Sequence, residues 1–377
     1  MSCLISDEDA KGVKVLENGI ELTLQDGNNA VFEDCWLRDH CRCSSCYHAD
    51  TCQRAKHILE IPESKITDAS RNSSQLYIKW DDGHKSVYDI EFLSKFDYKS
   101  WNKGRTLKPI VWNGRDIAHK LMKVHVDKFL RTEEGVSIVF QHLLDYGVAL
   151  IEGVEPTTEA TAIVCKALGG IQQTLFGGMW EFTTRADHAD TAYTNLPLAV
   201  HNDNTYFTEA AGLQVLHCLV HSNGSGGETI LVDGFYGALK LRQHFPEDYD
   251  FLSKFHLEAE YIEEGHRHKY AAPVIRVNDD TKELEQIRFN VYDRAPMAFA
   301  DSKQCRVYYR SLRNLARYYE DPENQWQFKL TPGTVMVMDN FRVLHGRTGF
   351  SGHRVLSGCY VSRSDWLDKA RTLRLIQ

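Results

Sequence analysis

The stretch AYTNLPLAVHNDNTYF, residues 192–207, carries His201 and Asp203 one residue apart. Alternation around them predicts a strand, and side chains at i and i+2 of a strand share a face. An imidazole and a carboxylate placed so could bind one metal ion between them. The same spacing recurs at His48/Asp50, His125/Asp127 and His188/Asp190 in a chain of 17 histidines, so the pair alone is a weak signal. An Fe(II) oxygenase needs two histidines and one carboxylate on one face of the metal, leaving three positions open. His345, in VMDNFRVLHGRTGF beyond the Pro332-Gly333 turn, is the candidate third ligand, brought close by the opposite strand. Arg354 follows nine residues later on the next predicted strand, where a fixed guanidinium could grip an organic acid's distal carboxylate. Thr229, after the Gly-rich turn of GSGGETILVDGF, could donate a hydroxyl to the same carboxylate. The ordered series HxD, GGxT, His, Arg is far less expected by chance than any one member.

A second cluster lies near the N-terminus. CRCSSC supplies Cys41, Cys43 and Cys46, and WDDGHKS supplies His84. Three thiolates and one imidazole make the closed tetrahedral shell of a structural zinc. Six of the ten cysteines fall in the first 52 residues, with Cys35 and Cys52 as nearby competitors. In an intracellular chain such clustering suggests metal more than disulfides.

These residues need elements to hold them. The chain has 377 residues, 42% hydrophobic and 25% charged, enough for a large core. Its net charge is −8, with neither the basic balance nor the basic stripe of a nucleic-acid binder. No apolar run approaches ~18 residues, so no membrane span is expected. The start, MSCLISDEDAKGVK, has neither a signal-peptide core nor an Arg-rich presequence, which reads as cytoplasmic. VKVLENGIELTLQDG and SQLYIKWDDGHKSVYDI alternate apolar with polar residues around Asn-Gly or Asp-Gly turns, the hairpin signature. A small β-rich, zinc-binding domain is therefore expected over 1–110. The turn-rich FDYKSWNKGRTLKPIVWNGRD marks the boundary, and a catalytic domain follows over 111–377. There Val136, Val139, Phe140, Leu143 and Leu144 share a helix face stopped by Gly147, VALIEGV reads as a buried strand, and Thr158–Leu168 reads as a second helix. From Thr191 onward come short strands (GLQVLHCLV, GETILVDGF, APVIRV, EQIRFNVY, GTVMVMDNF, RVLSGCYVS), interrupted by one helix over about Lys303 to Tyr319. Such density suggests a double-sheet jelly roll or barrel, so the fold class is mostly β with flanking helices.

The motifs WLRDHCRCSSCY, FGGMWEFTT, DTAYT, HNDNTYF, LHC, GGETILVDGF, DNFRVLHGR and SGCY together resemble the trimethyllysine and γ-butyrobetaine dioxygenase family, the two hydroxylases of carnitine biosynthesis. The resemblance covers residues from about 30 to the C-terminus. It implies a double-stranded β-helix, Fe(II), 2-oxoglutarate and O₂, with ascorbate as activator, and a homodimer. His201, Asp203 and His345 match the iron ligands, and Arg354 and Thr229 the 2-oxoglutarate positions. The cysteine triplet with His84 matches the zinc motif of γ-butyrobetaine hydroxylases. Phe176, Trp180, Tyr193 and Tyr360 match an aromatic cage, which suits a trimethylammonium because that cation donates no hydrogen bond and is held by aromatic faces. The expected reaction is C3 hydroxylation of N6-trimethyl-L-lysine. The same-chemistry alternative is γ-butyrobetaine hydroxylation, and a distant one is a non-catalytic methyl-ammonium binder. Thr205-Tyr206-Phe207 resembles the trimethyllysine enzymes. The full cysteine triplet is shared with the butyrobetaine enzymes, and Val291 replaces an Asn of some relatives. Asp187, Asp190 and Asp293 are candidates to meet the substrate's α-amino group. Mitochondrial residence is the family's alternative to the cytoplasmic reading. The partners expected are a small trimethylated amino acid and a second copy of the chain, with neither nucleic acid nor membrane.

Overall fold

A computed structural model of the protein describes residues 12–105, 107–183, 194–222 and 224–376. Contacts divide the chain into two compact units, Met1–Thr106 and Leu107–Gln377.

In the first unit both expected hairpins form and each gains a third strand. Val13–Leu16, Gly19–Thr23 and Asn29–Glu33 make one antiparallel sheet, and Ile66–Arg71, Gln75–Trp80 and Lys85–Asp89 another. Alternation buries one face of each, with Ile20, Leu22, Ala30 and Phe32 packing with Leu76, Ile78, Trp80 and Tyr88. The short helix Asp34–Asp39 leads into the cysteine stretch. Two helices appear where a plain linker was expected, Tyr98–Arg105 in the first unit and Gly114–Ile117 in the second. The latter starts because the Asn113 side chain accepts the Arg115 and Asp116 amides, both at 3.0 Å.

Two sheets organise the second unit. The larger runs Met179–Thr183, His353–Val361, Leu213–Ser222, Thr334–Asp339, Val148–Glu152, Lys123–His125, all antiparallel except the last pair. The smaller runs Leu198–His201, Val343–Arg347, Thr229–Asp233, Trp326–Phe328 and is antiparallel throughout. This two-sheet arrangement is consistent with the expected jelly roll. Period-2 alternation divides the larger sheet between two cores. Val335 and Val337 join the cluster that takes in Val139, Phe140, Leu143 and Leu168 from the helices Glu133–Tyr146 and Thr158–Leu168, while Met336 and Met338 pack with Leu231 and Val343 of the smaller sheet. Gly147 ends the first of those helices at φ +74°, a left-handed cap that glycine adopts without a Cβ penalty.

Beyond the one helix expected after residue 191, the structure has helices at Gly234–His244, Pro246–Lys254 and Arg363–Thr372. GETILVDGF is therefore not one continuous strand. It stops at Asp233, whose side chain accepts the Phe235 amide at 3.0 Å and caps the helix that follows. EQIRFNVY likewise stays extended only through Ile287.

Candidate metal centre and its cavity

His201 ends the strand Leu198–His201 and lies in register with His345 on the adjacent antiparallel strand Val343–Arg347. Cross-strand register, not sequence spacing, brings the two imidazoles together, with ring centroids 4.4 Å apart. Asp203 was expected on the same strand, but it lies just beyond the strand's end. Asn340 places it instead, accepting the Asp203 amide at 2.9 Å and donating to the Asp203 carbonyl at 3.0 Å. The next residue, Asn204, turns the chain with φ +58°, a left-handed conformation that Asn tolerates better than most residues. Asn202 ties the same turn down by donating to the carbonyls of Asn340 and Val343 at 3.0 and 3.1 Å.

Asp203 Oδ1 stands 3.3 Å from His201 Nε2 and 3.7 Å from His345 Nε2. One ligand atom from each residue lies within 4.8 Å of the others, so a single ion would reach all three. His201 Nδ1 is 2.8 Å from the Ala199 carbonyl. That contact makes Nδ1 the protonated nitrogen and leaves Nε2 as the ligand atom. Burial works against charge on His201, but the hydrogen bond and charge of Asp203 outweigh it and lift its pKa above the ordinary value. Burial would raise Asp203, yet His345 and His201 hold its carboxyl well below the usual range. Burial pushes His345 down to about 4. The donor set at neutral pH thus includes a carboxylate and a neutral imidazole, the forms that ligate a divalent cation.

The triad opens into a cavity between the two sheets. Its lining includes Phe176, Trp180, Tyr360, Thr229 and Arg354, so most of the residues proposed from sequence meet in one place. Arg354, Leu356 and Tyr360 share a face of one strand and look into it. Gly358, on the same face, makes room for the indole: a Cβ there would fall 2.3 Å from Trp180. Arg354 is 6% exposed, and among the described residues no carboxylate pairs with it. Its Nε has no hydrogen-bond partner, its guanidinium lies 5.6 Å from the Phe350 ring centre, and burial lowers its pKa. A buried guanidinium left unpaired is costly, and an anionic ligand relieves that cost.

Trp180 lies 4.5 Å from Phe182 and 5.5 Å from Tyr360 between ring centres. Across the cavity Phe176 meets Tyr261 edge-on at 5.6 Å, and Tyr261 stacks on Tyr206 at 5.0 Å. Tyr206, noted in sequence only as part of the Thr205-Tyr206-Phe207 run, and Tyr261 and Tyr292 are further aromatic walls. Tyr193, also expected in the cage, lies outside the described residues, as do His188, Asp190 and Asp187. Asp293 lines the cavity and accepts from the Asn290 side-chain Nδ2 at 2.7 Å. Gln214, another lining residue not foreseen, donates to Asp203. Its only signal in the sequence was a polar residue at an inward position of an apolar strand. Of the other His-x-Asp copies, His48 and Asp50 are exposed, and His125 with Asp127 forms an exposed pair at a helix start. Neither has a third ligand, because among the described residues the metal-competent clusters are the triad and the cysteine group.

That group gathers Cys41, Cys43, Cys46 and His84, with His84 Nε2 at 3.3, 3.7 and 3.9 Å from the three sulfurs. Cys35 and Cys52 are exposed and stand apart from it. A Cys₃His set on this scale suits a closed tetrahedral Zn²⁺ shell.

Residues 113–360 match the profile of the taurine catabolism dioxygenase TauD, TfdA family, and residues 13–94 match the gamma-butyrobetaine hydroxylase-like N-terminal domain. The chain is 41% identical over 351 residues to the mitochondrial trimethyllysine dioxygenase of Rattus norvegicus, covering 91% of this chain and 83% of that protein. The mitochondrial trimethyllysine dioxygenase of Homo sapiens gives the same figures. The trimethyllysine dioxygenase of Meyerozyma guilliermondii is 30% identical, covering 97% of each. Among solved structures, a putative alpha-ketoglutarate-dependent taurine dioxygenase from Burkholderia xenovorans superposes with a TM-score of 0.51 at 17% identity, covering 68% of this chain and 92% of that one. AAD-2 in complex with Mn(II) and N-oxalylglycine gives 0.51 at 15%, covering 62% and 91%. At these identities the likeness is one of fold.

Proposed function

The chain belongs to the TauD, TfdA dioxygenase family and to the trimethyllysine dioxygenases, and from that membership we propose that it hydroxylates N6-trimethyl-L-lysine at C3 with Fe(II), 2-oxoglutarate and O₂. The observation that carries the site assignment is the convergence of a two-histidine, one-carboxylate set and an unpaired buried arginine on one aromatic cavity. His201 Nε2, Asp203 Oδ1 and His345 Nε2 would hold the iron. When bound, iron supplies the oxidising chemistry, with 2-oxoglutarate leaving as succinate and CO₂ and hydroxyl entering the substrate.

The protein's own part is to orient and to exclude. Arg354 and the Thr229 hydroxyl would hold the distal carboxylate of 2-oxoglutarate, a charge-assisted contact that fixes its direction. Phe176, Trp180 and Tyr360, with Tyr193, would enclose the trimethylammonium, the first three supported by their place in the lining. Asp293 remains the described candidate for the α-ammonium, being an acidic residue of the same lining. The cage and the metal together measure length. Three methylenes separate C3 from the nitrogen in trimethyllysine, and one separates the reacting carbon from nitrogen in γ-butyrobetaine. Missing methylenes cost ~1–3 kcal/mol each in a shaped pocket, so one geometry favours one substrate by about tenfold or more in kcat/KM. Paired turnover assays, measuring succinate and hydroxylated product, test this. A preference for γ-butyrobetaine would move the chain to that alternative, and binding without turnover of either would make it a methyl-ammonium binder.

The same reading includes a domain over 1–110 that carries structural zinc on Cys41, Cys43, Cys46 and His84, ascorbate as activator, and a homodimer. Mitochondrial residence is favoured over the cytoplasmic reading because the vertebrate relatives are named as mitochondrial.

A further inference from the structure

Asp203 offers the two imidazoles only one of its oxygens. Oδ1 faces both Nε2 atoms, whereas Oδ2 accepts the Tyr360 hydroxyl at 2.7 Å and the Gln214 side-chain amide. We propose that Gln214 and Tyr360 are positioning residues that keep Asp203 a single-oxygen metal ligand, and that the Tyr360 hydroxyl matters to the metal centre independently of its ring.

The two donors are not separate accidents of the surface. Gln214 and Tyr360 are direct register partners on neighbouring antiparallel strands, and both are at most 5% exposed. Residues paired this way point to the same face with Cβ atoms ~5 Å apart, close enough for both to reach one oxygen. The sheet therefore aims an N–H and an O–H at Oδ2 together. The Gln214 amide cannot usefully reverse, since its carbonyl oxygen would then face a carboxylate. An unrestrained carboxylate can turn and chelate through both oxygens. It would then occupy one of three metal positions required by a two-point co-substrate and O₂. Two donors on Oδ2 hold the carboxylate plane and leave that oxygen a poorer ligand. Tyr360 thus belongs to the carboxylate by its hydroxyl and to the aromatic wall by its ring, which lies 5.5 Å from Trp180.

This inference rests on the triad as the metal site, and the test separates the two ideas. Mn(II) serves as the probe in place of Fe(II), with binding to the full chain followed by loss of the free-ion EPR signal. Wild-type protein should bind Mn(II), and Asp203→Ala should not; failure of that control would remove the metal site itself. Tyr360→Phe keeps the ring and deletes the hydroxyl. It should free Oδ2 to chelate the ion, and the 2-oxoglutarate affinity of the Mn(II)-loaded chain should fall about 10- to 100-fold, the usual scale for losing a partner of a metal ligand. It should also release more succinate per hydroxylated product, while KM for trimethyllysine stays near wild type. Gln214→Leu should do the same, and the double variant should lose less than the sum because both donors serve one oxygen. Should Gln214→Leu fail to fold, Tyr360→Phe decides alone. 2-Oxoglutarate affinity of the Mn(II)-loaded chain and coupling both unchanged in Tyr360→Phe, with substrate binding lost only in Tyr360→Leu, would leave Tyr360 a cage wall and overturn the proposal.

Discussion

At the scale of single residues, the site separates groups that look alike in sequence. His201→Ala, Asp203→Ala or His345→Ala should each abolish hydroxylation with the fold retained. His125→Ala removes the same motif from an exposed surface and should leave turnover within about twofold; activity assays with circular dichroism on all four check this. Arg354→Ala should raise the 2-oxoglutarate requirement steeply, because an ionised carboxylate loses a buried partner at a typical cost of ~2–5 kcal/mol. Titration of 2-oxoglutarate against succinate release measures it. His217 gives a pH dependence. The Thr161 hydroxyl donates to the Thr157 carbonyl at 2.7 Å, so it accepts from His217 Nδ1, also at 2.7 Å. His217 Nε2 is then the unprotonated nitrogen, buried without a partner, and burial pushes the pKa down to about 4. Below about pH 6.5 the unfolded chain takes up a proton that the native state refuses until about pH 4. This contribution is therefore complete above the unfolded pKa and is lost as pH falls through that window, by up to roughly 3 kcal/mol. His217→Asn should show the shallower decline, so that the stability gap between the two proteins narrows on acidification; urea unfolding at several pH values reads it. His201, Asp203, His345 and Arg354 could be named as candidates from sequence because few side chains bind metals or carboxylates, and the structure brings them to one cavity. Gln214, Asn340 and Tyr292 could not be, since their importance depends on what a fold places opposite them.

Secondary-structure elements were legible where one local signal dominated. Both N-terminal hairpins carried turn dipeptides, and the helix ending at Tyr146 carried an apolar stripe and a terminal glycine. The helix Gly234–His244 was missed because its apolar stripe is weak and it follows a strand without a loop, and Pro246–Lys254 follows it after Phe245 alone. Tertiary contacts hold that junction. Asp233, at the strand end, accepts from Arg342 Nε at 3.0 Å and Nη2 at 2.8 Å, as well as from the Trp112 amide at 3.0 Å. Arg342 also donates to the carbonyls of Asp145 and Ile110, both at 2.7 Å. The two side chains are 0% and 2% exposed. Replacing such a pair entirely can be neutral, but breaking it strands a charge. Arg342→Leu should cost about 3–5 kcal/mol, seen as a lower denaturant midpoint. Asp203 shows the opposite limit of local reasoning: its i+2 relation to His201 holds on paper, while Asn340 from a distant turn is what places it.

For the whole chain, the turn-rich stretch FDYKSWNKGRTLKPIVWNGRD marks the expected boundary, and contacts divide the molecule between Thr106 and Leu107. Among the described residues no helix is long and apolar enough to cross a membrane. The first unit carries the Cys₃His group, and from it follows a prediction about metal content. Purified protein should retain about one Zn²⁺ per chain after the iron is stripped, and Cys43→Ser should lower both zinc retention and thermal stability, since binding energy at a structural zinc is folding energy. Elemental analysis with melting curves checks it. The compartment was the least legible property. It depends on an address read by other machinery, and the cytoplasmic reading finds no support in relatives named as mitochondrial.

The strand order also sets a timetable. Thr334–Asp339, Val343–Arg347 and His353–Val361 come last in the chain, yet each takes an interior place in its sheet. A growing polypeptide that already displays His201 and Asp203 has neither His345 nor the middle of either sheet. Pairings this distant in sequence form late, after local hairpins and helices. On the proposed assignment, the ligand set for iron would stay incomplete during synthesis until the final strands insert. Oxidative chemistry would be withheld from the unfinished chain, and a chain ending before residue 334 would keep His201 and Asp203 without His345.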